Sequence, residues 1–109
     1  MWTGTTAART ANSPHYEAIT SRVHGQMLSG QEVWAEAART LDAAASVLDQ
    51  LGSRLELGRV LYARGAMQKA QGNVVAARAD VERAHAIFAE VGARRDVERT
   101  ARYLQSIRD

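Results

Sequence analysis

The chain has 109 residues, 21 of them alanine, with one proline, no cysteine and a formal net charge of +2 from fourteen basic and twelve acidic side chains. That length suits one small domain with a single core. The missing cysteine excludes disulfides and thiolate metal sites, and the near balance of charge excludes a strong field for polyanions.

The proline is Pro14, so nothing after Tyr16 forbids helix, and no β-branched stretch is longer than a pair such as Val74-Val75. Composition therefore predicts an all-α chain. Thirteen of the basic residues are arginine and only Lys69 is lysine, a bias that we attribute to a GC-rich bacterial genome. Met1 to Thr6 lack the apolar core of a signal peptide, and no stretch approaches the roughly 18 apolar residues of a membrane span. The expectation is a cytoplasmic protein with no membrane partner.

Residues 1–12 are small and polar without periodicity, and are expected to form a flexible tail. Ser13-Pro14 then reads as a helix start: serine can cap the orphan N–H groups, and proline in the first turn sacrifices no hydrogen bond. The first helix is expected from about Pro14 to Ser29. After Gly30, Trp34, Ala37, Leu41, Ala44, Leu48 and Leu51 are spaced 3, 4, 3, 4, 3 and share one face of a second helix, which Gly52 should end as a left-handed C-cap.

Ser53 can cap a third helix through Leu55, Leu57, Val60, Leu61, Ala63 and Met67, stopped at Gly72-Asn73. Its apolar residues surround much of the wheel, as expected for a helix packed on two sides. Val74, Ala77, Val81, Ala84, Phe88 and Val91 repeat the 3, 4, 3, 4, 3 spacing on a fourth helix ended by Gly92. A fifth helix, from about Arg95 to Ile107, keeps Val97, Ala101, Leu104 and Ile107 on one side.

The second and fourth helices superimpose at an offset of 40: Trp34 on Val74, Ala37 on Ala77, Leu41 on Val81, Ala44 on Ala84, Leu48 on Phe88, Leu51 on Val91 and Gly52 on Gly92. The same offset carries Gly25 onto Gly65, Met27 onto Met67 and Ser53-Arg54 onto Ala93-Arg94. Repetition at this period means stacked units, none of which can bury its apolar face alone. The organisation expected is hairpin 1 over 13–52, hairpin 2 over 53–92 and a capping helix over 94–108.

These residues resemble the tetratricopeptide repeat family. Leu61, Gly65, Gly72, Ala77, Val81 and Ala84 fall at its pattern positions in the second copy, and Gly25, Ala37, Leu41 and Ala44 in the first. The leucine of the pattern before the glycine is His24 in one copy and Arg64 in the other, and Asp49 and Ala89 stand near the place of its closing proline. The unit is about 40 residues where the common one is about 34. That longer form is similar to repeats of bacterial regulatory ATPases and large transcriptional activators. The resemblance implies a right-handed stack of two hairpins plus a closing helix, an α-solenoid fragment that binds proteins.

Chemistry beyond binding finds little support in the residues. His15, His24 and His85 are scattered, and Glu82-Arg83-Ala84-His85 is only half of the paired Glu-x-x-His arrangement of carboxylate-bridged metal bundles. HExxH, P-loop and GxSxG motifs do not occur. No enzyme activity, cofactor or metal is therefore expected. A DNA-reading helix-turn-helix at helices 3 and 4 fails because Gln68 occupies the usual small-residue place before Gly72, and Val74-Val75-Ala76-Ala77 offer nothing that reads base edges.

The resemblance places the partner surface on the concave side, which the first helix of each hairpin lines. Carried over by position, it names Arg22 and Gln26 on helix 1, Arg59, Tyr62, Ala66 and Lys69 on helix 3, and Arg99, Arg102 and Ser106 on helix 5. Such a basic surface suits an acidic peptide or C-terminus held by bidentate arginines. The competing reading pairs the same arginines with Glu56, Asp96 or Glu98 on a solvated face. Two further functions stay open: a homodimer covering an open face through Trp34, Leu57 or Tyr103, and nucleic-acid binding by the arginines, against which the weak net charge speaks.

Overall fold

The computed structural model describes residues 13–107, which form five α-helices and no strand. These are α1 (Pro14–Gly30), α2 (Trp34–Leu51), α3 (Arg54–Ala70), α4 (Val74–Val91) and α5 (Arg94–Ser106). Both ends of α3 and α4 repeat those of α1 and α2 at the offset read from the sequence, and the start of α5 stands at that same offset from the start of α3. The expected tail over 1–12 and the end of the capping helix at 108 lie outside the described residues.

Local chemistry sets the boundaries. Ser13 caps α1, its Oγ accepting from the Tyr16 N–H at 3.0 Å, with Pro14 in the first turn. Asn73 caps α4 in the same way through Ala76. Gly52 and Gly92 end α2 and α4 at φ 71° and 75°, where only glycine escapes a Cβ clash. The following residues close the motif: the Ser53 N–H bonds the Leu48 carbonyl and the Ala93 N–H that of Phe88.

One sequence reading needs correction. Ser53 occupies the N-cap position of α3, yet its side chain makes no capping hydrogen bond. Its backbone, at ψ 80°, matches that of Asn73 at ψ 79°, which does cap, so the backbone angle is not what separates the two. α1 ends on Gly30, and the positive φ of this turn falls two residues later, at Glu32 (φ 63°). Glu32 holds the register position of Gly72, whose φ is 90°, so the first hairpin turns on a residue with a Cβ penalty that the second avoids.

Packing follows the apolar stripes. α1 lies on α2, α3 on α4, and the hairpins join through α2 on α3 and α4 on α5. Leu41, Leu48, Leu57, Val60, Leu61, Val81 and Phe88 are fully buried. Within each hairpin the helices meet at the repeated glycine: a Cβ on Gly25 would stand 2.6 Å from Leu41 Cδ2, and one on Gly65 2.6 Å from Val81 Cγ2. Leu41 and Val81 are themselves partners in the repeat register, so one helix-to-helix contact occurs twice. Ile107 at the end of α5 packs with Ala77 and Val81, and its carbonyl accepts from Arg78.

The residues named as candidates for covering an open face are mostly engaged. Leu57 is in the core, Trp34 packs against that core half-buried, and Tyr103 packs beside Tyr62. Leu57 drops out because α3 has neighbours on two sides, so its whole wheel is used.

Candidate interaction cleft

Helices α1, α3 and α5 each present a face to one side of the stack. Arg22 and Gln26 from α1, Arg59 and Tyr62 from α3, and Asp96 and Arg99 from α5 line a cleft of about 300 Å³ between them. Five of the nine residues named from sequence thus come together: Arg22, Gln26, Arg59, Tyr62 and Arg99. The other four lie outside the lining. Lys69 sits 5.0 Å over the Tyr103 ring, Ala66 is half-buried on α3, and Arg102 and Ser106 are exposed on α5, where the Ser106 Oγ donates to the Tyr103 carbonyl.

The charge arrangement repeats with the fold. Arg59 donates to Glu56 at 2.7 Å and Arg99 to Asp96 at 2.6 Å, and the two pairs, each closed between neighbouring turns of one helix, are partners in the repeat register. Arg22 approaches the remaining oxygen of Glu56 only to 3.8 Å, and both Arg22 Nε and Glu56 Oε1 are buried without a hydrogen bond. Its Nη1 reaches the Gln26 side-chain oxygen at 3.4 Å. The carboxylates lie deeper than their partners: the Glu56 and Asp96 side chains are 15 % and 16 % exposed, those of Arg59 and Arg99 37 % and 48 %. A ligand entering from solvent meets guanidinium groups first.

Aromatic rings hold this layer in place. The Arg99 guanidinium stacks 4.7 Å from the Tyr62 ring centre, and Tyr62 meets Tyr103 edge to face at 5.3 Å. Burial, with a smaller contribution from Tyr62, pushes the Tyr103 phenol above its ordinary pKa. Glu56 and Asp96 entered the sequence reading only as neutralising partners. Their common placement, each one helical turn before an arginine, is the signal that marks them as partners of the cleft's arginines, and of the two Asp96 lines the cleft itself.

A second polar cluster joins the hairpins elsewhere. Arg64 of α3 grips Asp80 of α4 and also Asp42 of α2, and these paired carboxylates hold its guanidinium above the ordinary arginine pKa despite the opposing effect of burial. His85, half of the Glu-x-x-His spacing, places Nδ1 2.8 Å from the Thr100 hydroxyl. That hydroxyl already donates to the Asp96 and Val97 carbonyls, so His85 acts as the donor. Among the described residues no group of three or more His, Asp or Glu side chains is placed to hold a metal ion, and no helix is long and apolar enough to cross a membrane.

Comparison of the chain with known protein families, with curated proteins and with solved structures gives no match.

Proposed function

We propose that the chain is a protein-interaction module, not an enzyme, and that it receives an acidic peptide segment of a partner in the cleft between α1, α3 and α5. The observation that carries this reading is the layering of the cleft, with Arg59 and Arg99 standing outward of their carboxylates Glu56 and Asp96, and Arg22 adding a third guanidinium beside these two acids. Arg59 and Arg99 each commit one nitrogen to an internal carboxylate, and a guanidinium carries five N–H donors in a planar fork. Further donors remain to hold a ligand carboxylate bidentately. Tyr62 supplies an apolar wall against which an extended backbone can lie. The resemblance to tetratricopeptide repeats supports the same reading, through a scaffold or regulatory role.

Calorimetric titration with a Glu/Asp-rich peptide and a neutral peptide of scrambled composition, each at low and high salt, tests it. The acidic peptide should bind, and salt should weaken it as expected for partly exposed charge pairs. Equal affinity for both peptides would remove the clamp. Tighter binding of a single-stranded oligonucleotide, with a steeper salt slope, would move the function to nucleic acid.

A further inference from the structure

The repeat register also shows which helix face is left uncovered among the described residues. Positions 20, 23 and 27 of α1 share one helix face and correspond to Val60, Ala63 and Met67 of α3 and to Thr100, Tyr103 and Ile107 of α5. On α3 and α5 the preceding helix covers this face. Met67 is 3 % exposed and shares a core with residues of α2, while Ile107 is 2 % exposed against Ala77 and Val81 of α4. On α1 the same positions are open: Val23 is 56 % exposed and Met27 54 %.

The threonines add a polar detail. Thr20 bonds the Tyr16 carbonyl at 3.0 Å, just as Thr100 bonds that of Asp96 at 2.8 Å. In both, the hydroxyl proton is committed to the backbone and the oxygen is left to accept. On α5 that oxygen receives the His85 side chain of α4. Thr20 is exposed.

We propose that the Thr20–Val23–Met27 face of α1 is a stacking surface for one more hairpin of the α3–α4 kind. The closing helix of that hairpin would lay an Ala77/Val81-like stripe over Val23 and Met27 and present a donor, as His85 does, to Thr20. This partner is identified by continuity with the α2–α3 and α4–α5 contacts, and the surface is separate from the arginine cleft.

The test inserts a second copy of residues 53–92 between Asn12 and Ser13 of the full chain, which places Gly92 directly before Ser13 and keeps the repeat spacing. The chain has no cysteine, so Met27→Cys reports exposure through its rate of thiol labelling, with Met67→Cys as the buried reference. The thiol at position 27 should label freely in the parent and at least about tenfold more slowly in the extended chain, and His85→Ala in the added copy should restore part of the rate. Unchanged labelling at position 27, with circular dichroism showing the added hairpin helical, would overturn the proposal. So would a parent in which that thiol is already protected and light scattering finds a dimer, because a second copy would then be the occupant.

Discussion

Arg64 on α3 holds Asp80 on α4 through two parallel hydrogen bonds, Nε to Oδ2 at 2.7 Å and Nη2 to Oδ1 at 2.9 Å. Asp80 is buried, and the Arg64 side chain is 22 % exposed. Removing Arg64 leaves the Asp80 carboxylate desolvated without its guanidinium, and removing Asp80 leaves the half-buried Arg64 with Asp42 alone, whereas removing both leaves neither charge behind. Arg64→Leu and Asp80→Ala should each destabilise by about 2 kcal/mol in denaturant unfolding, and the double variant by clearly less than their sum. Asp42→Ala, which takes away an exposed carboxylate from the same guanidinium, should cost under about 1 kcal/mol.

The two register glycines should respond unequally to alanine. A Cβ at position 25 meets side-chain atoms only, Leu41 Cδ2 at 2.6 Å and Cγ at 2.7 Å, so the buried Leu41 must repack but no backbone need shift, and alanine gains about 1 kcal/mol in helix propensity. At position 65 it meets Val81 Cγ2 and, at 3.1 Å, the Ala77 backbone carbonyl, which cannot yield without shifting α4. Gly65→Ala should cost about 2 kcal/mol and Gly25→Ala less than half of that in thermal or urea unfolding. Adding Val81→Ala should recover less than the full loss at position 65.

Glu32 carries a backbone penalty at φ 63° that its register partner Gly72 avoids. Next to it Val33 stands at the N-cap of α2 with no capping side chain, where Asn73 caps α4. Glu32→Gly should stabilise by about 1 kcal/mol, and Val33→Asn by a further ~1 kcal/mol. An unfolding midpoint that falls in the double variant would show that the first turn is held by something other than local geometry.

Much of the fold was legible because the apolar spacing, the left-handed stops at Gly52 and Gly92 and the close-approach glycines all carry one period. Any of them alone is a weak signal in an alanine-rich chain. What stayed hidden depends on neighbours or on backbone angles. The Arg64–Asp80 pair spans 16 residues and two helices, and in the sequence Arg64 reads as a mere departure from a leucine position. Glu32 has no local marker of its φ, and Ser53 has a capping residue's chemistry and nearly the backbone of Asn73, yet makes no capping bond. Of the positions carried over, Arg22, Gln26, Arg59, Tyr62 and Arg99 line the cleft, whereas Ala66, Lys69, Arg102 and Ser106 lie further along their helices.

Glu56 occupies Arg59 and approaches Arg22, and in the proposed binding mode it would compete with the ligand for both. Glu56→Gln should therefore strengthen acidic-peptide binding several-fold at low salt, while Arg59→Ala and Arg99→Ala should each weaken it by about tenfold, the equivalent of one charge-assisted hydrogen bond. Calorimetry of the three variants, with circular dichroism to confirm intact helices, reads this directly. Weaker binding by the Gln variant would mean that Glu56 positions the arginines more than it occupies them.

Tyr103 binds its proton more tightly in the folded chain than in the unfolded one. Its contribution to stability is complete below the ordinary tyrosine pKa and is lost as pH rises through the raised folded value. Unfolding midpoints followed from neutral pH to about pH 11 should fall in the wild type. Tyr103→Phe should remove part of that decline.

Because each helix touches chiefly the ones beside it in sequence, formation of the native state requires few distant segments to find each other. Chains of this kind fold fast and open from their ends inward. The last helix, docked chiefly on α4, is the natural first point of opening, and amide exchange should be quickest there and slowest along α3 and α4. Arg99 and Asp96 ride on that helix, so one wall of the cleft comes and goes with the most labile part of the chain.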